Sequence, residues 1–290
     1  MKQRKRRKTL KDSVIYCGKQ IWIQKLQESK NDSNICIVIS NGYTTKCVPV
    51  TGGYKVEKRD EPDISMFNKD IEILVCYYQH TCDGLTEATD ELKDFLEYFA
   101  SGKELWLIGH SKSAQSQLDI KFKMLPVYEN INVITVSSTF GGTNLANEKL
   151  FKHMPKHFPH LMNFFFGLAF KNTIVETDVA SDSEYIMNHY KSNRLVTLNY
   201  VTKITDLRNV QSVEGMFNAF LNWALMYDMR CGGDGIVDVK SQTLGVDSSK
   251  NKFLNCPHCH GLADACCDLV IEFSHLGRKI KRSWLNALFF

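Results

Sequence analysis

The feature that most constrains the fold is a short apolar run, residues 105–108, which leads directly into small residues and then into a helical pattern. The run has the length of a strand and ends at Gly109-His110-Ser111-Lys112-Ser113. A strand that turns directly into a helix at Gly-x-Ser-x-small is the layout of a nucleophile elbow, in which the serine stands at a strained corner. The helical pattern that follows has apolar residues at i, i+4, i+8 and i+11, on one predicted face: Ala114, Leu118, Phe122 and Leu125.

The chain is long enough to bury one large hydrophobic core. It has 290 residues, of which 43% are hydrophobic and 23% are charged, as in an ordinary globular protein. The net charge is +4, but seven Lys and Arg residues precede the first acidic residue, so the remainder carries −3. We therefore expect residues 1–13 to be a basic, disordered arm and residues 14–290 to form the folded domain. The arm suits an anionic lipid surface, and we expect no nucleic-acid partner.

The sequence also limits where the protein is expected to act. We find neither the pattern of a secretory signal nor an apolar segment with the length of a transmembrane helix. The ten cysteines do not form an evenly spaced framework, and Cys36 and Cys76 lie inside apolar, strand-like runs. These observations favour a reducing compartment. We expect a cytoplasmic protein, either free or peripheral to a membrane.

Strand-like and helical patterns alternate along most of the chain. Amphipathic helices are predicted from Leu92 to about Gly102, at the elbow, and from Leu262 to Phe273. This alternation predicts an α/β fold with a mostly parallel sheet and helices on both faces. The predicted strands span residues 34–40, 71–78, 105–108, 131–136 and 194–205.

Residues 147–192 break the alternation and are predicted to be an inserted helical cap. The segment contains a Phe-rich stretch, near Pro155 and Pro159, that is apolar on every side. Such a stretch is either buried or contacts a hydrophobic partner. Two interpretations stay open: a helix packed on the core, and a mobile cap over an apolar substrate groove.

Two residues in the last third supply what a catalytic serine requires. A serine hydroxyl is a poor nucleophile until a base takes its proton and an acid orients that base. In elbow-containing folds the acid and then the histidine follow the serine along the chain. Asp234 lies in a glycine-flanked segment, residues 232–237, and His260 stands just before the final helix.

Five segments, taken in order, resemble the lipases and esterases of the α/β-hydrolase superfamily. Ile37 to Tyr43 is similar to the family's strand ending in His-Gly-aromatic, and Leu107 to Ala114 matches its elbow. Val133 to Thr143 is similar to the lipase pattern T-x-x-T-P-H-x-G-T. Gly233 to Val237 resembles the acid loop G-D-G-x-V, and His260 falls where the histidine belongs. The resemblance covers most of the chain and implies an α/β-hydrolase fold.

The resemblance also implies a role for each site residue. Ser111 is the nucleophile, His260 is the general base and then the acid, and Asp234 orients the histidine. The backbone N–H groups of Tyr43 and Lys112 form the oxyanion hole, which stabilises the developing negative charge.

Three departures from the lipase pattern leave room for altered specificity or a weakened enzyme. Asn41 replaces the usual histidine, Ser113 replaces glycine, and Ser138-Thr139-Phe140 replaces Thr-Pro-His. None of the three removes a catalytic atom.

The histidine and the acid each have a rival. His258 lies two residues before His260, and we favour His260 because a glycine and the final helix follow it directly. Asp206 follows the strand at 194–205, where many α/β-hydrolases carry the acid. Asp234 is favoured because its loop fits the lipase pattern better, although a simple Gly-Asp-Gly turn remains an alternative interpretation.

The segment 256–260, Cys-Pro-His-Cys-His, satisfies other patterns as well. C-x-x-C-H occurs at haem attachment sites, and C-P-H-C occurs in thioredoxin-like oxidoreductases. A zinc site would use Cys256, Cys259 and either Cys266 or Cys267 with a histidine. We expect no metal or other cofactor, and we interpret the cysteines as loop thiols beside the catalytic histidine.

The sequence therefore predicts a serine hydrolase of carboxylic esters. The Phe-rich segment favours a lipid-like acyl group as the substrate, and the arm or the cap is expected to contact a membrane surface. Two alternatives stay open. One is transfer of the acyl group to an acceptor other than water, and the other is a catalytically silent protein that binds a membrane or a partner.

Overall fold

A computed structural model of the chain describes the sheet, the helices against it and the loops at one of its edges. It describes residues 14–29, 34–40, 47–50, 53–56, 67, 69–78, 85–124, 130–143, 195–205, 216 and 232–269. The basic arm, Tyr43, the cap segment and Asp206 lie outside these residues. The predictions made for them stay predictions.

Ten strands occur in the described part of the chain. They are β1 (Val14–Cys17), β2 (Ile21–Gln27), β3 (Ile35–Ser40), β4 (Cys47–Val50), β5 (Gly53–Val56), β6 (Glu72–Tyr78), β7 (Glu104–His110), β8 (Ile131–Val136), β9 (Leu198–Thr202) and β10 (Asn251–Leu254). Strands β4 and β5 form an antiparallel pair of their own, and the other eight form one sheet in the order β1-β2-β6-β3-β7-β8-β9-β10. Strand β2 is antiparallel to both of its neighbours, and the six strands from β6 to β10 in this order are parallel.

The central strands are buried on both faces. Every residue of β3, Ile-Cys-Ile-Val-Ile-Ser, is buried, as expected for a continuous apolar run in a parallel sheet. The predicted mostly parallel sheet is thus confirmed. Because the six parallel strands share a direction, their carboxyl ends meet at one edge of the sheet, where open α/β sheets bind their ligands.

Helices cover both faces of the sheet, as predicted. The helices α1 (Leu85–Phe99) and α2 (Ser113–Met124) pack on one face. The short helix α3 (Val239–Thr243) contacts β9, and residues 261–269 form a helix, α4, which packs on the other face. No helix among the described residues is both long and apolar enough to cross a bilayer.

The apolar patterns of the helices predict burial well in α1 and less well in α2. Leu92 and Leu96 of α1 are fully buried, and so is Leu118 of α2. Phe122 of α2, however, is 59% exposed, so its predicted place on the buried face is wrong. Ile120 and Met124, two residues before and after Phe122, are fully buried. Two residues turn an α-helix by about 200°, so Phe122 lies on the side opposite to the face that this part of α2 buries.

Candidate active site

Ser111 lies at the corner between β7 and α2, in a backbone conformation that side chains seldom adopt. Its φ is 57°, in the left-handed region that costs a residue other than glycine about 1–2 kcal/mol. Its N–H donates to the carbonyl of Val136 at 2.8 Å, and its carbonyl accepts from the N–H of Ala114 at 3.1 Å. These bonds tie the corner to β8 and to the first turn of α2. The structure therefore contains the sharp strand-to-helix corner that the sequence predicts.

Gly109 shows why this corner requires a small residue before the serine. A Cβ atom at this position would lie 2.7 Å from the Cα atom of Ala114 and 2.7 Å from the carbonyl oxygen of Ser113. Both are backbone atoms, so neither can move away without opening the turn. Only glycine allows β7 and α2 to approach this closely.

Ser113, which stands where the lipase pattern has glycine, fits without disturbing the corner. Its Oγ accepts a hydrogen bond from the N–H of His110 at 2.9 Å. The same hydroxyl donates to the carbonyl of Ser40 at 2.7 Å. The extra hydroxymethyl group thus links the elbow to the carboxyl end of β3.

A histidine and an aspartate continue from Ser111 in one line of contacts. His258 Nε2 lies 3.0 Å from Ser111 Oγ, and His258 Nδ1 lies 2.8 Å from Asp234 Oδ2. All three residues are buried. With the proton on Nδ1 donated to the carboxylate, Nε2 is left to accept the proton of the Ser111 hydroxyl.

His258, and not His260, occupies this position, which corrects the preference drawn from the sequence. The two histidines are the first and last residues of the 3₁₀ turn His258–His260, whose N-cap is Pro257. Residues two apart in a turn of three residues per turn point about 240° apart, so only one of them can face Ser111. The first residue of the turn is the one that faces the serine.

Asp234 is held by hydrogen bonds on both carboxylate oxygens. Oδ2 also accepts from Thr202 Oγ1 at 2.6 Å, and Oδ1 accepts from the N–H groups of Ile236 at 3.0 Å and Val237 at 2.8 Å. Burial raises the pKa of Asp234, but the charge of His258 and these hydrogen bonds outweigh it and lower the pKa. The carboxylate is therefore ionised and fixed in direction.

The backbone of the Asp234 loop explains its glycines. Gly232 has a φ of 63° and Gly235 a φ of 98°, conformations in which glycine carries no side-chain penalty. The N–H of Asp234 donates to the carbonyl of Val237 at 3.2 Å. The segment is thus a tight turn, and the same turn aims the carboxylate at His258.

Comparison with known proteins identifies the fold of the chain. No protein-family model matches the chain, and no curated protein matches its sequence. Its structure is similar to the mature lipase BlEst2 of Bacillus licheniformis, with a TM-score of 0.54 at 12% identity over 87% of this chain and 96% of that one. It is also similar to the metagenomic carboxyl esterase MGS0156, with a TM-score of 0.51 at 12% identity over 89% of this chain and 78% of that one.

A third similar structure is named for the superfamily itself. It is an α/β hydrolase superfamily protein from Enterococcus faecalis, with a TM-score of 0.50 at 11% identity over 88% of this chain and 95% of that one. The chain has the α/β-hydrolase fold.

Within this α/β-hydrolase fold, the remaining predicted residues are only partly described. Lys112 follows Ser111 directly and is buried, and its carbonyl accepts from the N–H of Gln115 at 3.2 Å in the first turn of α2. Tyr43 and Asp206 lie outside the described residues. Their roles as second oxyanion donor and alternative acid stay predictions.

Thr202 and Gln242 support the acid, and our interpretation of the sequence missed both. Gln242 Nε2 donates to the carbonyl of Thr202 at 2.9 Å and to that of Val237 at 3.1 Å. It thereby joins the end of β9 to the Asp234 loop. Thr202 is the last residue of β9, whereas the predicted strand continues to residue 205, so its place beside the acid could not be identified from the sequence.

The cysteines around His258 do not form a metal site in the described part of the chain. Among those residues, no group of three or more His, Cys, Asp or Glu side chains is arranged to hold a metal ion. Burial raises the pKa of Cys266 to about 12, and burial together with Asp264 raises the pKa of Cys256. Without a metal, both thiols are therefore protonated at neutral pH.

Proposed function

We propose that the chain is a serine hydrolase that cleaves carboxylic esters through an acyl-enzyme intermediate on Ser111. The observation that carries the proposal is the 3.0 Å contact between His258 Nε2 and Ser111 Oγ, continued by the 2.8 Å contact between His258 Nδ1 and Asp234. Two proteins of the same fold are named as a lipase and a carboxyl esterase. Their names support the same class of chemistry for this chain.

In the first half of the reaction, Ser111 Oγ attacks the carbonyl carbon of the ester. His258 Nε2 takes the hydroxyl proton as the new C–O bond forms, and a tetrahedral oxyanion results. When this intermediate collapses, the bond to the alcohol breaks and His258 gives its proton to the departing oxygen. Asp234 stays ionised throughout and stabilises the imidazolium, in keeping with its lowered pKa.

In the second half, water replaces the alcohol. His258 Nε2 takes a proton from the water as its oxygen attacks the acyl carbon, and the second tetrahedral intermediate releases the acid. The proton then returns to Ser111 Oγ, which restores the free enzyme. No cofactor takes part in these steps.

The oxyanion requires donors close to Ser111. We assign the backbone N–H of Lys112 to this role because it directly follows the nucleophile at the start of α2, and Tyr43 is the second donor in the proposal. A single such donor is worth about 3–4 kcal/mol of transition-state stabilisation in a related chemistry.

The substrate is proposed to carry an apolar, lipid-like acyl group. This part of the proposal rests on the sequence of residues 147–192, which contains a Phe-rich, apolar stretch. The basic residues 1–13 suit the anionic surface of a membrane from which such a substrate would be drawn. Both segments lie outside the described residues.

The test is the release of nitrophenol from esters of increasing acyl length by the native protein and by Ser111→Ala. We expect turnover by the native protein only, with a rate that rises from acetyl to medium-chain esters. Circular dichroism establishes that both proteins are folded, and a fluorophosphonate probe should label the native serine alone. A folded native protein that neither turns over esters nor reacts with the probe would contradict the proposal and favour the catalytically silent alternative.

A further inference from the structure

We propose that His110 is a positioning residue that fixes the main chain of His258 for proton exchange with Ser111. The inference deepens the proposed function, because it concerns how the base of that site is held in place. His110 is the last residue of β7 and directly precedes Ser111. It is not part of the line of contacts from Ser111 through His258 to Asp234.

The evidence is a buried contact between two residues that are far apart in sequence. His110 Nε2 lies 3.1 Å from the carbonyl oxygen of His258. The centroids of the two imidazole rings are 4.8 Å apart, with the ring planes tilted by 41°. His110 is only 5% exposed. The Nε2–H group therefore donates to the main chain that carries the base, while the rings lie close together.

The other main-chain polar group of His258 is bound as well. The N–H of His258 donates to the carbonyl of Asp234 at 3.0 Å. The main chain of His258 is thus bound on two sides. His110, at the end of β7, binds its carbonyl, and the loop of Asp234 binds its N–H. With the main chain fixed, the imidazole ring can move only by rotation about its side-chain bonds. The contact between Nδ1 and Asp234 Oδ2 restricts that rotation.

A neutral histidine suits this place better than a cationic donor would. When His258 takes the proton of Ser111, a second positive charge close to its ring would oppose the transfer. Burial, and secondarily the charge of His258, lower the pKa of His110 to about 3. His110 therefore donates a hydrogen bond without carrying charge at neutral pH.

The position of His110 is itself rigid, which a positioning residue requires. Its strand pairs with β8 up to the partners His110 and Val136, and its N–H donates to Ser113 Oγ at 2.9 Å. Ser111 is the next residue after His110. The contact between His110 and His258 therefore also limits the distance between the nucleophile and its base.

Two variants separate the hydrogen bond from simple packing. His110→Leu removes the donor, and His110→Gln offers an amide N–H at a similar reach. We expect His110→Leu to lower kcat about 10- to 100-fold, the size of loss that a displacement of about 1 Å produces, with KM changed less than about twofold. We expect His110→Gln to recover most of kcat.

Gln117→Leu is the matched control. Gln117 is a fully buried polar residue of α2 whose amide donates to Ser40 Oγ at 2.6 Å. This substitution should cost stability comparable to that of His110→Leu and leave kcat within about twofold. A kcat loss of equal size in the control, a native kcat in folded His110→Leu, or no recovery in His110→Gln would overturn the proposal.

Nuclear magnetic resonance of the protein labelled with ¹⁵N at its histidines tests the contact without relying on turnover. We expect His110 to be the neutral tautomer with its proton on Nε2, and the His258 ring signals to shift or broaden in His110→Leu. A proton on Nδ1 of His110 would overturn the contact. If the native protein hydrolyses no ester while His110 has the expected tautomer, the proposed function fails and the contact stands.

Discussion

The nucleophile corner and the histidine turn hold their functional side chains in different ways. Ser111 is fixed by its own neighbourhood, because its φ of 57° and the packing of Gly109 against α2 are set within a few residues. His258 is fixed from a distance. Its ring and its main chain are bound by Asp234, 24 residues before it, and by His110, 148 residues before it.

This difference predicts which property each part of the site loses first when it is mutated. A local corner enforced by backbone sterics fails only if the packing of β7 on α2 fails, so damage there should appear first as lost stability. The histidine turn depends on a set of hydrogen bonds that support one another. Damage there should appear first as lost kcat in a protein that remains folded.

The largest effect expected from the histidine side is that of Asp234→Asn. The Asn side chain presents an N–H donor to Nδ1, where the carboxylate accepts a hydrogen bond from Nδ1–H. His258 is therefore left in the wrong tautomer, and we expect kcat to fall about 10⁴-fold. The control is Asp238→Asn. Asp238 caps α3 by accepting from the N–H of Ser241 at 2.7 Å. Steady-state kinetics that show less than a tenfold loss in Asp234→Asn, or an equal loss in the control, would contradict this role.

Alanine substitutions at two glycines compare the two regions directly. Gly109→Ala places its Cβ against backbone atoms of α2 at 2.7 Å, so we expect a loss of about 3 kcal/mol or more in unfolding free energy. Gly261→Ala places its Cβ 2.5 Å from Ser137 Oγ and 2.9 Å from Thr202 Cγ2, which are side-chain atoms. Here we expect about 1–2 kcal/mol of lost stability but a clear fall in kcat, because Gly261 follows the turn of His258.

Urea denaturation and ester kinetics on the same preparations decide this comparison. The two regions would not differ as described if Gly109→Ala kept its stability while losing kcat. They would also not differ if Gly261→Ala lost stability but kept its kcat.

The smallest expected effect isolates the strain at the corner. Ser111→Ala keeps a side chain at a φ of 57°, whereas Ser111→Gly removes the penalty of that conformation. We expect Ser111→Gly to be more stable than Ser111→Ala by about 1 kcal/mol, after part of the gain is offset by the greater freedom of glycine in the unfolded chain. Both variants should be inactive. Equal denaturation midpoints would show that the corner stores no strain.

The sequence predicts the local features of this molecule more successfully than the long-range ones. The elbow, the buried run of β3 and the glycine loop of Asp234 are each encoded within a few residues, and the structure has all three. The burial of Phe122 was predicted wrongly because the second half of α2 buries Ile120 and Met124, which lie on the opposite side of the helix.

The choice between His258 and His260 could not be made from spacing. It depends on the residue at which the 3₁₀ turn begins, and Pro257 as the N-cap sets that start. It depends also on the bonds from His110 and Asp234, which no local pattern reveals. Thr202 was missed for the same reason, since its hydroxyl meets Asp234 only when β9 and the acid loop come together.

The most direct test of the account compares His258→Gln with His260→Gln in kcat/KM for one nitrophenyl ester, with folding checked by thermal unfolding. Because His258 contacts both Ser111 Oγ and Asp234 Oδ2, we predict a loss of about 10³-fold or more in His258→Gln. His260→Gln should stay within about threefold of the native value. A collapse of activity in His260→Gln, with His258→Gln still active, would contradict the account.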